Sequence, residues 1–117
     1  MPSSDDLEAG DLVWVELDPV RGRKQSGRRP AVVITPAAYH NVSRIALVCP
    51  ITSNLGPWPF KVFLPDGLEV GGAVLVDQVR AVDRSQRIFG RVGTGRVPDE
   101  TLDKIRSILV AVFRPEE

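Results

Sequence analysis

The sequence predicts a small, mainly β domain: a barrel of about six or seven short, mostly antiparallel strands closed by one C-terminal helix. Three observations lead there. Short apolar stretches, several of them alternating, are separated by Gly, Pro and Asn turn signals along most of the chain. Helical periodicity occurs only near the C-terminus. A chain of 117 residues has room for one core, and at this size folding buries roughly two-thirds of the unfolded surface. The expected organisation is a flexible N-terminal segment, 1–9, followed by one domain over 10–114.

Val13, Val15 and Leu17 alternate with Trp14, Glu16 and Asp18, which predicts a strand with one buried face. Asp18-Pro19 ends it, and a loop rich in Gly, Arg and Lys runs to Arg29-Pro30. Ala31 to Thr35 is rich in β-branched residues, as in a strand covered on both faces. A short connector after Pro36 carries Tyr39, His40 and Asn41. Arg44 to Ile51 is another apolar strand, and Thr52 to Pro57 reads as a loop. Phe60 to Leu64 is a strand followed by the turn signal Asp66-Gly67. Two more strands are expected around Ala73 to Ala81 and Ile88 to Gly95, with a turn near Asp83 to Gln86.

Leu102, Ile105, Ile108, Leu109, Val112 and Phe113 recur at three- and four-residue spacing and predict the helix. Pro98 suits its first turn, and Asp99 and Glu100 suit its positive end. Ile108 to Phe113 is apolar almost all round, more than one covered face requires, which points to a second buried surface such as a subunit contact.

Composition excludes several classes. Hydrophobic content of 43% argues against disorder. The lone cysteine, Cys49, rules out an internal disulfide framework, and with His40 as the only histidine no zinc cluster is expected. Cys49 lies in the apolar run Ile45 to Ile51 and reads as a small core residue, not a reactive thiol. The acidic start MPSSDDLEAG lacks the apolar stretch of a signal peptide, and no run is long enough to span a membrane. The expectation is a cytoplasmic protein with no membrane association, metal or cofactor.

Net charge is zero, but its distribution is uneven. Between Pro19 and Pro65 every charged residue is basic: Arg21, Arg23, Lys24, Arg28, Arg29, Arg44 and Lys61. Acidic residues gather at Asp5, Asp6, Glu8 and Asp11, and again at Asp99, Glu100 and Asp103. Such a segment attracts phosphates, although an isolated basic run is more often a solvated loop. Here the run joins two strands, where long loops are usually functional or disordered. Its glycines permit close backbone approach, and its guanidinium forks match phosphate. Pro30 fixes the chain directly after Arg29, so Arg29 sits on rigid scaffold while Arg21 to Lys24 occupy a mobile tip.

Gly10-Asp11-Leu12-Val13-Trp14-Val15, Asp18-Pro19 with Gly22, and Gln25-Ser26-Gly27-Arg28-Arg29-Pro30-Ala31-Val32-Val33 are three ordered segments that resemble the N-terminal signature of the MazF/PemK toxin family. Cys49-Pro50-Ile51-Thr52-Ser53, Trp58-Pro59-Phe60, Val76-Asp77-Gln78-Val79 and the terminal helix agree in order and spacing. The resemblance covers nearly the whole chain from Gly10 to Phe113. It implies an SH3-like barrel of the CcdB/PemK type, forming a homodimer that cleaves single-stranded mRNA at short motifs without a metal. The implied products are 2′,3′-cyclic phosphate and 5′-OH ends, and the implied partner is a cognate MazE-like antitoxin whose acidic tail covers the RNA groove.

Arg29 aligns with the family's catalytic arginine and Thr52 with its active-site threonine. A guanidinium stays protonated, so Arg29 is a clamp on transition-state oxygens, while Thr52 can hydrogen-bond the phosphate or the 2′-OH. Arg23, Lys24, Gln25, Arg28, Ser53 and Arg87 are the candidate RNA-binding residues, and no residue is a metal ligand. One position departs from the pattern: many members carry a glutamate where this chain has Lys24. A lysine ammonium is protonated at neutral pH and cannot accept the proton of the 2′-OH. The general base is therefore Thr52, water or another group. His40 lies away from the matched positions, and Asp77 and Gln78 read either as RNA contacts or as a pair tying down a loop. Trp14 and Trp58 read as core or rim aromatics before base-stacking platforms. Two rivals remain: a CcdB-like, non-enzymatic gyrase poison, against which the Arg29-Pro30 loop argues, and an inactive RNA-binding barrel, which Lys24 keeps open.

Overall fold

The computed structural model describes residues 7–17 and 27–115. Its strands are β1 (Asp11–Val15), β2 (Arg29–Val33), β3 (Ile45–Thr52), β4 (Lys61–Phe63), β5 (Ala73–Leu75), β6 (Arg80–Asp83) and β7 (Ile88–Arg96). Two single-turn helices, α1 (Ala37–His40) and α2 (Arg84–Arg87), precede the long helix α3 (Asp99–Phe113). All pairings are antiparallel, in the order β4-β5-β3-β2-β1-β7, with β6 also on β3. The result is a curled, mostly antiparallel sheet, a half-barrel, with α3 packed on the 3-10 turn Val76–Gln78 and on β4.

The curl gives the sheet two cores. Leu12, Val32, Cys49, Ile51, Val74 and Val92 pack beneath Leu102 and Ile105 of α3. Val13, Val15, Ala31, Val33, Val48 and Ile88 form the other. β1 is therefore buried on both faces, not on the one that alternation predicts, because the curled sheet covers Leu12 as fully as Val13. The N-terminal boundary also moves. Leu7 and Ala9 fall in the expected flexible segment 1–9, yet both side chains are buried core. The Asp11 carboxylate holds them there: it accepts from the Glu8 amide at 2.9 Å, from Arg91 at 2.6 Å and from Arg96 at 2.9 Å. Arg96 also donates to the Ala9 carbonyl at 3.0 Å. Residues 1–6 lie outside the described residues.

β3 has two partners on one edge. Ile45 to Val48 pair with β6, and Ile51 and Thr52 pair with β5. The Ile34 amide donates to the Leu47 carbonyl, so alternation turns Leu47 and Cys49 toward β2 and Pro50 toward the other edge. Proline has no N–H to give that edge. The expected single strand from Ala73 to Ala81 accordingly breaks there into β5, the 3-10 turn Val76–Gln78 and β6. The expected turn near Asp83 is α2, whose N-cap Asp83 accepts from the Ser85 amide at 2.9 Å.

α3 buries Thr101, Leu102 and Ile105, whereas Val110, Val112 and Phe113 are exposed. The apolar surplus read from the sequence is thus a real surface feature of the chain. No helix among the described residues is long and apolar enough to cross a membrane.

Gly72, directly before β5, has φ +119°, and a Cβ there would sit 2.1 Å from the Thr52 carbonyl oxygen. Gly72→Ala should therefore destabilise the fold by about 3 kcal/mol or more, measured as a fall in the urea midpoint.

Candidate active site

β2 begins at Arg29, opposite Val15 of β1. On its other side Ala31 faces Pro50, Val32 faces Cys49 and Val33 faces Val48. Continued two residues toward the chain entry, this register sets Arg29 opposite Thr52, on the face of the sheet that carries Ala31 and Val33. Proline at position 30 and ladder bonds from Ala31 onward make this a rigid platform.

Arg29 is exposed and lines a concavity with Leu17, Pro50, Gln78, Val79 and Arg80. The break forced at Pro50 is what delivers Gln78 and Arg80 to it. Thr52 is half-buried, and its Oγ1 accepts from the Asn54 amide at 3.1 Å. A hydroxyl can accept twice and donate once, so this bond leaves its hydrogen for a ligand. Ser53 follows directly and is exposed.

Arg28 does not line this concavity; it stacks on Phe89, with its guanidinium carbon 3.9 Å from the ring centroid. Arg23, Lys24 and Gln25 lie outside the described residues. Arg87 is half-buried at the end of α2, where its carbonyl accepts from the Glu16 amide at 3.0 Å, and it does not line the Arg29 concavity. The arginine that the structure brings beside Arg29 is Arg80, which sequence reasoning did not single out. The available signal was the polar pair Asp77-Gln78 inside an apolar run, which marks a strand break followed at once by Arg80.

The remaining arginines of that region serve the fold. Arg84 is buried and donates to the His40 carbonyl at 2.9 Å and to the Ser43 carbonyl. Arg91 belongs to the Asp11 cluster. His40 is buried too: Nδ1 donates to the Leu7 carbonyl at 2.9 Å, and Nε2 accepts from the Thr35 hydroxyl at 2.7 Å. The Thr35 oxygen in turn accepts from the Leu47 amide at 3.2 Å, so the imidazole is a structural bridge. Asp77 is exposed and accepts from the Trp58 indole at 3.2 Å. Trp14 is half-buried against the α3-side core.

Cys49 is wholly buried beneath Arg29's strand, with Sγ 3.9 Å from the Val76 carbonyl oxygen. Burial, and secondarily the Asp77 carboxylate, push its thiol from 9.0 up to about 12. Above pH 9 the unfolded chain sheds a proton that the folded chain keeps, so the unfolded state binds fewer protons and stability falls with rising pH. Urea unfolding should show no Cys49-dependent change below pH 9, then a loss of up to about 1.4 kcal/mol per pH unit toward pH 12. Cys49→Ser should remove that slope, and thiol reagents at pH 8 should label Cys49 only on unfolding.

A family model described as PemK-like, MazF-like toxin of type II toxin-antitoxin system matches residues 8–113. The chain is 39% identical over 100 residues to the Endoribonuclease toxin MazF of Escherichia coli K12, covering 86% of this chain and 87% of that one. It is 30% identical over 112 residues to Endoribonuclease EndoA of Bacillus subtilis, covering 88% and 90% of the two chains. Among solved structures, a MazE-MazF crystal form from Deinococcus radiodurans superposes with a TM-score of 0.83 at 37% identity, covering 94% of this chain and 97% of that one. With its half-barrel and terminal helix in common with these structures, the chain belongs to the PemK-like, MazF-like toxin family of type II toxin–antitoxin systems.

Proposed function

We propose that this protein is a sequence-specific endoribonuclease toxin that cleaves single-stranded RNA and is neutralised by a cognate MazE-like antitoxin. The observation that carries this reading is the meeting of Arg29 with Gln78 and Arg80 in one concavity, Thr52 closing the neighbouring strand β3. Relatives at 39% and 30% identity are named endoribonucleases, and the Deinococcus MazF is solved together with MazE.

Cleavage proceeds without a metal. The ribose 2′-oxygen forms a bond to its own phosphorus as the P–O5′ bond breaks, giving a 2′,3′-cyclic phosphate and a 5′-OH. The 2′-OH proton passes to a base, and the departing 5′-oxygen takes up a proton. Arg29, a permanent cation on a rigid strand end, holds the non-bridging oxygens as negative charge builds on them. Thr52 donates its hydroxyl to the phosphate or the 2′-oxygen. Lys24, with Arg23, Gln25, Arg28, Ser53 and Arg87, supplies binding; as a cation, Lys24 is not the base, and that role falls to Thr52, water or another group.

The enzyme works as a cytoplasmic homodimer, the exposed apolar end of α3 being suited to a subunit contact. An acidic antitoxin tail would inhibit by taking the cations that RNA phosphates otherwise use.

Purified protein in EDTA should cut RNA at a short motif and leave 5′-OH ends, read by sequencing the cleaved termini. Intact RNA, or a strict metal requirement, would overturn the reading. Arg29→Ala should lower kcat by about a hundredfold or more. Arg21→Ala should mainly weaken binding and flatten its salt dependence, by a log–log slope change of roughly one.

A further inference from the structure

Trp58 is 48% exposed, although an indole is among the most favourable side chains to bury. It is held in this exposed position from several sides. Its Nε1 donates to Asp77 Oδ2 at 3.2 Å, and its ring meets Phe60 edge-on at 5.6 Å and 68°. Pro57 and Pro59 flank it and restrict the backbone. The rest of the loop is braced internally. The Lys61 ammonium donates to the Asn54 and Gly56 carbonyls, both at 2.6 Å. The Gly56 amide donates to Asn54 Oδ1 at 2.8 Å, and the Asn54 amide to Thr52 Oγ1 at 3.1 Å.

Both anchors of this indole lead to the candidate active site. The loop leaves β3 directly from Thr52, and Asp77 precedes Gln78, which lines the Arg29 concavity. The other exposed aromatics are placed differently. Tyr39 sits on α1 edge-on to His40, Phe89 is covered by Arg28, Phe63 lies beside α3 with Lys104 and Ile108, and Phe113 is at the helix end. The Asp77 carboxylate beside Trp58 disfavours a phosphate at that spot, whereas a base has no charge to be repelled.

We propose that Trp58 is a base-stacking residue that sets specificity: an unpaired base flanking the scissile phosphate stacks on its exposed face while the phosphate lies toward Arg29 and Thr52. This rests on the ribonuclease reading above. Stacking on a prepositioned ring suits single-stranded RNA, since every base offers a π-face and the ring loses little freedom on binding.

The chain has two tryptophans, so Trp14→Phe leaves Trp58 as the sole indole. The probe is a 2′-O-methyl, uncleavable copy of an RNA that the unsubstituted protein cuts. It should quench Trp58 emission saturably. Trp58→Ala should lower kcat/KM on the cleavable RNA roughly fivefold to a hundredfold, mainly through KM, and relax the preference for the flanking base. Trp58→Phe, which keeps a ring but loses the Asp77 bond, should retain most of the activity. Absence of quenching, or wild-type kcat/KM and cut sites in Trp58→Ala, would overturn the stacking role while leaving the ribonuclease reading intact. RNA left whole by the unsubstituted protein would overturn both. Should Trp58→Ala fail to fold, the quenching titration decides.

Discussion

β3 carries more pairing than one neighbour can satisfy, and the way that demand is met shapes the whole molecule. One edge is taken by β2; the other is shared between β6 and β5. Pro50, which lacks an N–H for that second edge, interrupts the sharing. The incoming chain must leave the sheet for one 3-10 turn and rejoin it, and the sheet curls around the interruption. Everything at the candidate active site borders this break: Arg29 and Thr52 at the strand ends beside it, Gln78 and Arg80 on the segment that it displaces.

The arginines divide their work according to what surrounds them. Arg91 and Arg96 converge on one buried carboxylate, Asp11, and tie the start of the domain to β7. Charges taken out of water in this way need partners at close range, and removing one strands the others. Arg84 satisfies carbonyls at the α1 turn. Arg29 and Arg80 instead face a concavity, where a guanidinium can meet phosphate oxygens in its fork geometry. The same residue type thus serves two settings in one small chain: the Asp11 cluster and the lining of a concavity.

Two residues of the candidate site could be singled out before the fold. Arg29 stood out because a proline pins it at a strand entrance, and Thr52 because it closes an apolar strand. The motif order tied both to one family, and the match over residues 8–113 agrees. Cys49 read as a core residue from its apolar run, and it is buried, whereas the bridge that His40 makes to Leu7 spans 33 positions and was not legible. Arg80 was not legible: four arginines recur between Val79 and Val92, and nothing local distinguishes one that faces a groove from one that is buried. The burial of Leu7 and Ala9 was equally hidden, since their anchor is Asp11 bonded to residues some eighty positions away.

The sequence by itself determined most of the strands, the terminal helix with its apolar surplus, the basic segment before β2 and the family. These depend on local periodicity, turn chemistry and motif order, which short windows carry. The tertiary structure decided that the barrel is a curled half-barrel, that β1 is covered on both faces and that the Ala73–Ala81 stretch is broken. It also decided that Trp58 is held half-exposed by Asp77 and Phe60. Each of these depends on a long-range pairing, an edge without a donor or a hydrogen bond across the fold, and no window of sequence contains both partners.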